Sequence, residues 1–93
     1  MCTVSHMQDL VRYSAEFSTW RNAYYNECNK RSFVYSHADA TQYLENAGDY
    51  AWSMILVCVL ADVDYNVVCP EAVAFVKDYK VESKYPSLKG VVA

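Results

Sequence analysis

The stretch AWSMILVCVLA, residues 51–61, is the most apolar run in this 93-residue chain, and the interpretation of the fold starts from it. Apolar side chains that share one helical phase continue from this run toward the N-terminus: Ala40, Leu44, Ala47, Ala51, Met54, Ile55 and Cys58. Ser36 supplies an N-cap signal ahead of them, with Asp39 three residues later. The pattern therefore predicts one long helix from about His37 to about Asp62.

Gly48 lies inside this predicted helix, and the apolar phase runs through it without slipping. A glycine costs about 1 kcal/mol relative to alanine in a helix interior, so we interpret Gly48 as a place where another part of the chain approaches closely. The alternative is that the helix ends at Gly48 and that Asp49 caps a new helix.

One further helix is predicted on each side of the middle one. Ser5 and Gln8 form a capping-box pattern ahead of an aromatic stripe, which indicates a helix from about Ser5 to about Asn29. The stripe consists of Leu10, Tyr13, Phe17, Trp20 and Tyr24. Pro70 fits the first position of a third helix, and Pro86 is expected to end that element.

These elements predict a single all-α domain over residues 1–93, folded as a small three-helix bundle, or as four helices if the middle one breaks at Gly48. The chain has only two glycines and two prolines, which favours a few long elements over a β fold with many turns. The alternative is an α+β fold with short strands at residues 33–35, 65–69 and 90–93.

Composition excludes several classes of protein. The net charge is −3, so direct binding to nucleic acid is not expected. The apolar run is shorter than the about 20 residues that a membrane span needs, and the first residues lack a signal-peptide pattern. We therefore expect a cytoplasmic protein without membrane contact. Its cysteines are expected to be reduced thiols: Cys2, Cys28, Cys58 and Cys69.

No motif in the sequence indicates catalysis. The chain contains no nucleophile elbow and no glycine-rich phosphate loop, and neither histidine lies beside a known signature. Cys2, His6, Cys28 and His37 are ligand types that zinc uses, but they lack closely spaced pairs, and the first helix would separate Cys2 from Cys28 by about 35 Å. We therefore expect no enzyme activity, no metal and no cofactor.

The acidic residues are distributed unevenly along the chain. Between Ser32 and Val76 there are six acidic residues and no lysine or arginine. These are Asp39, Glu45, Asp49, Asp62, Asp64 and Glu71, and Tyr43 and Tyr50 are expected nearby. A carboxylate surface of this kind attracts basic partners, so we predict that it docks on a basic protein site. The alternative is that these side chains form an ordinary solvated surface.

The middle helix also carries more apolar residues than two neighbouring helices can cover. On a helical wheel, four large side chains continue the line that Glu45 and Asp49 begin: Trp52, Leu56, Leu60 and Val63. One interpretation is that the connector formed by residues 63–69 and the C-terminal tail cover this patch. The other is that it is exposed and forms a homodimer contact or an anchor for a partner, with tryptophan as a favoured anchor residue.

These observations predict a small, non-catalytic protein–protein interaction module. The most concrete hypothesis is an inhibitor or regulator that docks its acidic, tyrosine-bearing surface on a protein that handles nucleic acid. A compact acidic module without an active site is typical of what a virus would direct against a host enzyme, which would place it in the host cytoplasm. The alternative is a structural subunit of a homo- or hetero-oligomer, with the Trp52 patch buried by a partner chain.

Overall fold

Two long helices and two short ones make up the part of the chain that the computed structural model describes, residues 3–88 and 91. Their bounds are Val4–Cys28 (α1), His37–Leu60 (α2), Tyr65–Val68 (α3) and Pro70–Asp78 (α4), followed by a 3-10 turn at Pro86–Leu88. The all-α prediction is confirmed. The fourth helix comes from residues 65–68, not from a break at Gly48.

α1 and α2 form an antiparallel pair with aromatic contacts between them. Trp20 stacks on Tyr43 with ring centroids 5.9 Å apart, and Tyr13 contacts Tyr50 at 6.1 Å. The N-cap of α1 is Thr3, not Ser5, because the Thr3 hydroxyl accepts the backbone N–H of His6. The aromatic stripe predicted for α1 thus faces the core: Tyr13 and Trp20 contact α2, Phe17 contacts Phe75 of α4, and Tyr24 contacts Tyr79.

α2 passes through Gly48 without a break, as the helical phase predicts. The close approach expected at this glycine is made by Val81 of the C-terminal tail. A Cβ atom placed on Gly48 would lie 2.6 Å from a methyl carbon of Val81, which is too close for two carbon atoms. Gly48 therefore gives the tail room to cross the helix.

Both α2 and α4 end in the same type of cap. Asp62 has φ 56° and Lys80 has φ 52°, so each occupies the left-handed region just after the C-cap residue of its helix, Ala61 or Tyr79. The following residue donates its N–H back five residues, from Val63 to Cys58 and from Val81 to Val76. This is the Schellman arrangement, normally formed with glycine. It ends α4 at Asp78, so the prediction that Pro86 ends this helix is wrong.

The α+β alternative is wrong for the segments that the structure describes. Residues 33–35 belong to the turn between α1 and α2, and residues 65–68 form α3. The third proposed strand, residues 90–93, lies outside the described residues except for Val91.

The tail after α4 completes the core. Residues 81–88 leave α4 and run along α2, where the Leu88 side chain is completely buried with the main apolar cluster. The hydroxyl of Tyr65 donates to the carbonyl oxygen of Val91 at 2.8 Å, so the tail also contacts α3. α2 is therefore enclosed by α1, α4 and the tail together, which explains its excess of apolar residues.

Candidate protein-interaction surface

Trp52 is not part of an exposed patch. Its side chain is 5% exposed, and its indole N–H donates to the carbonyl oxygen of Val81 at 2.9 Å. Of the predicted patch, Leu56 and Val63 are half-buried and only Leu60, at 62%, is exposed. The predicted partner-binding patch centred on Trp52 is therefore wrong, because the tail of the same chain covers it.

The six acidic residues do not form one surface. Asp39 and Asp62 lie at opposite ends of α2, about 35 Å apart at 1.5 Å per residue. The N-terminal group consists of Asp39, Glu45 and Asp49. The C-terminal group consists of Asp62, Asp64 and Glu71.

Lysines from outside the acidic span approach the N-terminal group. The Lys84 ammonium lies 2.9 Å from a carboxylate oxygen of Asp49, and this hydrogen bond and charge, with Glu45 nearby, raise the pKa of Lys84. Lys30 lies close enough to Asp39 for that carboxylate to contribute to the raised pKa of Lys30, although Glu27 is the main cause. This end of α2 therefore carries cations that the linear sequence does not place there.

Tyr43 and Tyr50 are half-buried, and their rings contact Trp20 and Tyr13 of α1. The structure therefore places both tyrosines in the α1–α2 contact and not on an open acidic surface. Packing between helices accounts for their positions.

The C-terminal acidic group lies at the same end of the bundle as four exposed apolar side chains. They belong to the last turn of α2 and to α3, with exposed fractions of 43% for Val59, 62% for Leu60, 75% for Val67 and 46% for Val68. We call these four residues, together with Asp62, Asp64 and Glu71, the acidic corner. All three carboxylates are exposed, and over the described residues no ion pair involves any of them.

The local backbone explains why these side chains face solvent. The Asp64 carboxylate accepts the N–H of Asn66 and caps α3. α3 has a single turn between the left-handed Asp62 and the buried Cys69, and none of its four residues is buried. Sequence reasoning assigned this segment to a connector and missed Val67 and Val68. A pair of valines in a one-turn helix has no periodicity that could indicate exposure.

A second exposed apolar set lies on the first half of α1. Val4, Met7 and Val11 are 70%, 58% and 72% exposed, and their spacing of three and four residues puts them on one face of the helix. These three residues were not predicted as a site, because the aromatic stripe on the packed face is the stronger helical signal in this segment. Their charged neighbours Asp9 and Arg12 form an ion pair, so this face is electrically balanced.

Glu27 is a buried carboxylate that sequence reasoning also missed. It is 2% exposed and accepts the backbone N–H of Ser36 and the ammonium of Lys30, both at 2.9 Å. The hydrogen bond from Ser36, followed by that from Lys30, lowers the pKa of Glu27 below its ordinary value. Glu27 thus joins the end of α1 to the N-cap residue of α2 and has a structural role.

The remaining features of the described residues concern small ligands, metals and membranes. A shallow cleft lined by Asp49, Trp52, Lys84 and Tyr85 has a volume of about 100 Å³, well below the roughly 300 Å³ of a typical small-molecule site. Within the described part of the chain, no three His, Cys, Asp or Glu side chains are grouped so that they could hold a metal ion; Cys2, one of the zinc-type ligands that the sequence argues against, lies outside that part. None of the helices described here has the length and apolarity to cross a membrane.

Comparisons with models of known protein families, with curated proteins and with solved structures found no match to this chain.

Proposed function

We propose that this protein is a small, non-catalytic interaction module, most concretely an inhibitor or regulator, and that it docks through the acidic corner. The partner is a protein whose contact surface is basic at its edge and apolar at its centre, as in a site that handles nucleic acid. One observation carries the proposal: Leu60 and Val67 are 62% and 75% exposed beside carboxylates that have no ion pair in the described structure.

The two parts of the acidic corner supply different contributions to binding. Burial of the valines and Leu60 against a partner favours binding by about 25 cal/mol of free energy for each Å² of apolar surface removed from water. The carboxylates of Asp62, Asp64 and Glu71 speed the encounter with a basic surface and orient it, and they disfavour acidic partners. Together they select a partner more narrowly than either part does alone.

The corner is favoured over the N-terminal acidic group because of its charge environment. Asp49 is paired with Lys84, and Lys30 lies near Asp39, so that end presents a weaker negative field to a partner. The corner combines a net negative charge with exposed apolar area.

Affinity capture with matched variants tests this proposal. The tagged protein is incubated with cell lysate, retained proteins are identified by mass spectrometry, and the purified partner is then titrated against each variant. We expect Leu60→Ser with Val67→Ser, and separately Asp62→Asn with Asp64→Asn and Glu71→Gln, to raise the Kd about tenfold or more.

Retention by the wild type should weaken between about 50 and 500 mM salt, because screening acts on the exposed carboxylates.

Each variant has a control that changes the same chemistry elsewhere. Val4→Ser with Val11→Ser removes apolar side chains of similar exposure, 70% and 72%. Glu16→Gln with Asp78→Asn and Glu82→Gln removes three exposed negative charges away from the corner. Asn retains the capping ability of Asp64 and tolerates the left-handed backbone of Asp62. Equal losses in the corner variants and their controls would contradict the proposal.

A structural subunit is the second candidate function, and the apolar stripe of Val4, Met7 and Val11 is the observation that favours it. The same experiment separates the two functions. If Val4→Ser with Val11→Ser abolishes capture and the corner variants do not, the subunit function is supported.

A further inference from the structure

Cys58 and Cys69 bring two sulfur atoms together inside the core. Cys58 lies in the last turns of α2, and Cys69 directly precedes α4. Both side chains are 0% exposed, and their Sγ atoms lie 3.8 Å apart. The contact joins two elements whose connection, residues 59–68, contains most of the acidic corner.

We propose that Cys58 and Cys69 are an intramolecular disulfide site, which a low-molecular-weight disulfide such as oxidised glutathione oxidises. A disulfide bond is about 2.05 Å long, so the sulfurs must approach each other by about 1.8 Å. The proposal requires that rotation of the two thiols about their Cα–Cβ bonds, together with adjustment of the backbone at Cys69, closes this gap. The backbone of Cys69 lies between two helices with φ −137° and ψ 61°, so a small adjustment there breaks no long helix.

The reaction is thiol–disulfide exchange in two steps. The thiolate of one cysteine attacks a sulfur of oxidised glutathione, a mixed disulfide forms, and one glutathione thiolate leaves and takes up a proton. The second cysteine, after losing its proton, attacks the protein sulfur of the mixed disulfide and releases the second glutathione. The protein thereby loses two protons and two electrons, and oxidised glutathione takes them up and is reduced to two molecules of glutathione.

Burial controls how quickly this happens. Desolvation, with the neighbouring Cys58, raises the pKa of Cys69 to about 12, so little thiolate is present at neutral pH while the core is closed. Oxidation therefore requires opening of the connection that contains α3, which buries none of its own residues. Cys28 is exposed and is expected to react with soluble reagents first.

The disulfide would close a ring over residues 58–69 and link the end of α2 covalently to the start of α4. It would restrict the unfolded chain and prevent the acidic corner from opening. The proposal stands on the sulfur geometry and does not depend on the docking function proposed above.

The sequence makes the product easy to identify. Because no lysine or arginine lies between Ser32 and Val76, trypsin releases residues 32–77 as one fragment, and Cys58 and Cys69 are its only cysteines. The native protein is incubated with oxidised glutathione, quenched with acid, denatured, alkylated with N-ethylmaleimide and digested. We expect a fragment that carries no N-ethylmaleimide group. Its mass should be about 2 Da below that of the same fragment with two free thiols. The midpoint of thermal unfolding should rise by roughly 5–15 °C and return after dithiothreitol.

Two further measurements make the test decisive. Cys28→Ser should give the same fragment and the same shift, since Cys28 takes no part, whereas Cys69→Ala should give neither. The proposal is overturned if residues 32–77 still carry two N-ethylmaleimide groups, or keep a glutathione adduct without ring closure. It is also overturned if the disulfide forms only in urea-unfolded protein, because the folded geometry would then not be responsible.

Discussion

Lys80 and Asp62 each end a helix at a position where glycine is usual. In the left-handed region the Cβ atom crowds the neighbouring carbonyl oxygen, at a cost of roughly 1–2 kcal/mol for an ordinary residue. Asp tolerates this backbone better than Lys, because its short polar side chain can hydrogen-bond locally. The hydrogen bonds from Val63 and Val81 back to the helices hold both caps in place.

We predict that Lys80→Gly stabilises the protein by roughly 0.5–1 kcal/mol, because glycine removes the strain at φ 52°. The free energy of unfolding from urea titrations measures the change. The matched control is Lys77→Gly in the last turn of α4, which should destabilise by about 1 kcal/mol. A loss of stability in Lys80→Gly would contradict the assigned cap.

We predict that Gly48→Ala destabilises the protein by about 1 kcal/mol, although alanine is the better helix former. The new methyl group would meet Val81 at 2.6 Å, and a β-branched side chain cannot rotate away easily. In a Val81→Ala background the contact is gone, so the same substitution should become neutral or stabilise by up to about 1 kcal/mol. Urea titrations of the four proteins measure this double-mutant cycle, and equal effects in both backgrounds would refute the close approach.

At the scale of elements, the junction of α1 and α2 depends on an ionised Glu27. Because hydrogen bonds lower its pKa in the folded protein below the ordinary 4.5, the folded state binds the proton less tightly than the unfolded chain. The ionised side chain therefore stabilises the fold above that value, and the contribution is lost as the pH falls through the lower folded pKa.

We predict that the stability difference between wild type and Glu27→Gln is greatest above about pH 5 and shrinks as the pH falls below 4.5. Urea midpoints between about pH 3 and pH 7 measure it. Glu16→Gln, at an exposed position on α1, is the control and should differ little from wild type. A stability difference between wild type and Glu27→Gln that grows as the pH falls would contradict a lowered pKa of Glu27 in the folded protein.

At the scale of the whole molecule, most apolar residues of α2 are buried within one chain, and Val59 and Leu60 remain exposed. The homodimer expected from the sequence depended on an exposed Trp52, which the tail covers. A symmetric contact through the acidic corner would bring two sets of Asp62, Asp64 and Glu71 together, and like charges at an interface oppose association.

We therefore predict that light scattering at low salt gives a mass near the 10.6 kDa of one chain. Asp62→Asn with Asp64→Asn and Glu71→Gln should associate more strongly than wild type, because it retains the apolar side chains and loses the repulsion. The control that neutralises Glu16, Asp78 and Glu82 should remain at the mass of one chain. A wild-type dimer that resists high salt would contradict this prediction.

Much of the fold could be predicted from local sequence signals. Ser36 and the phase of the apolar residues located α2, and Pro70 located the start of α4. The end of α4 could not be predicted, because Lys80 carries no stop signal in the sequence and the contact of the next residue, Val81, with Gly48 joins segments distant in the chain. The candidate site was predicted in part: Leu60 and Asp62 were singled out, but Val67 and Val68 were not.

The sequence by itself determined the helical class, the two long helices and the excess of apolar residues on α2, since these depend on spacing along the chain. The tertiary structure alone decided which of those residues reach solvent. It placed the tail over Trp52, brought Lys84 to Asp49 and set the two thiols 3.8 Å apart, because contacts between residues distant in the chain leave no local pattern. The unbroken acidic span of the sequence thus became two ends of a molecule, and at the acidic corner the exposed Leu60 and Val67 lie beside carboxylates that have no ion pair among the described residues.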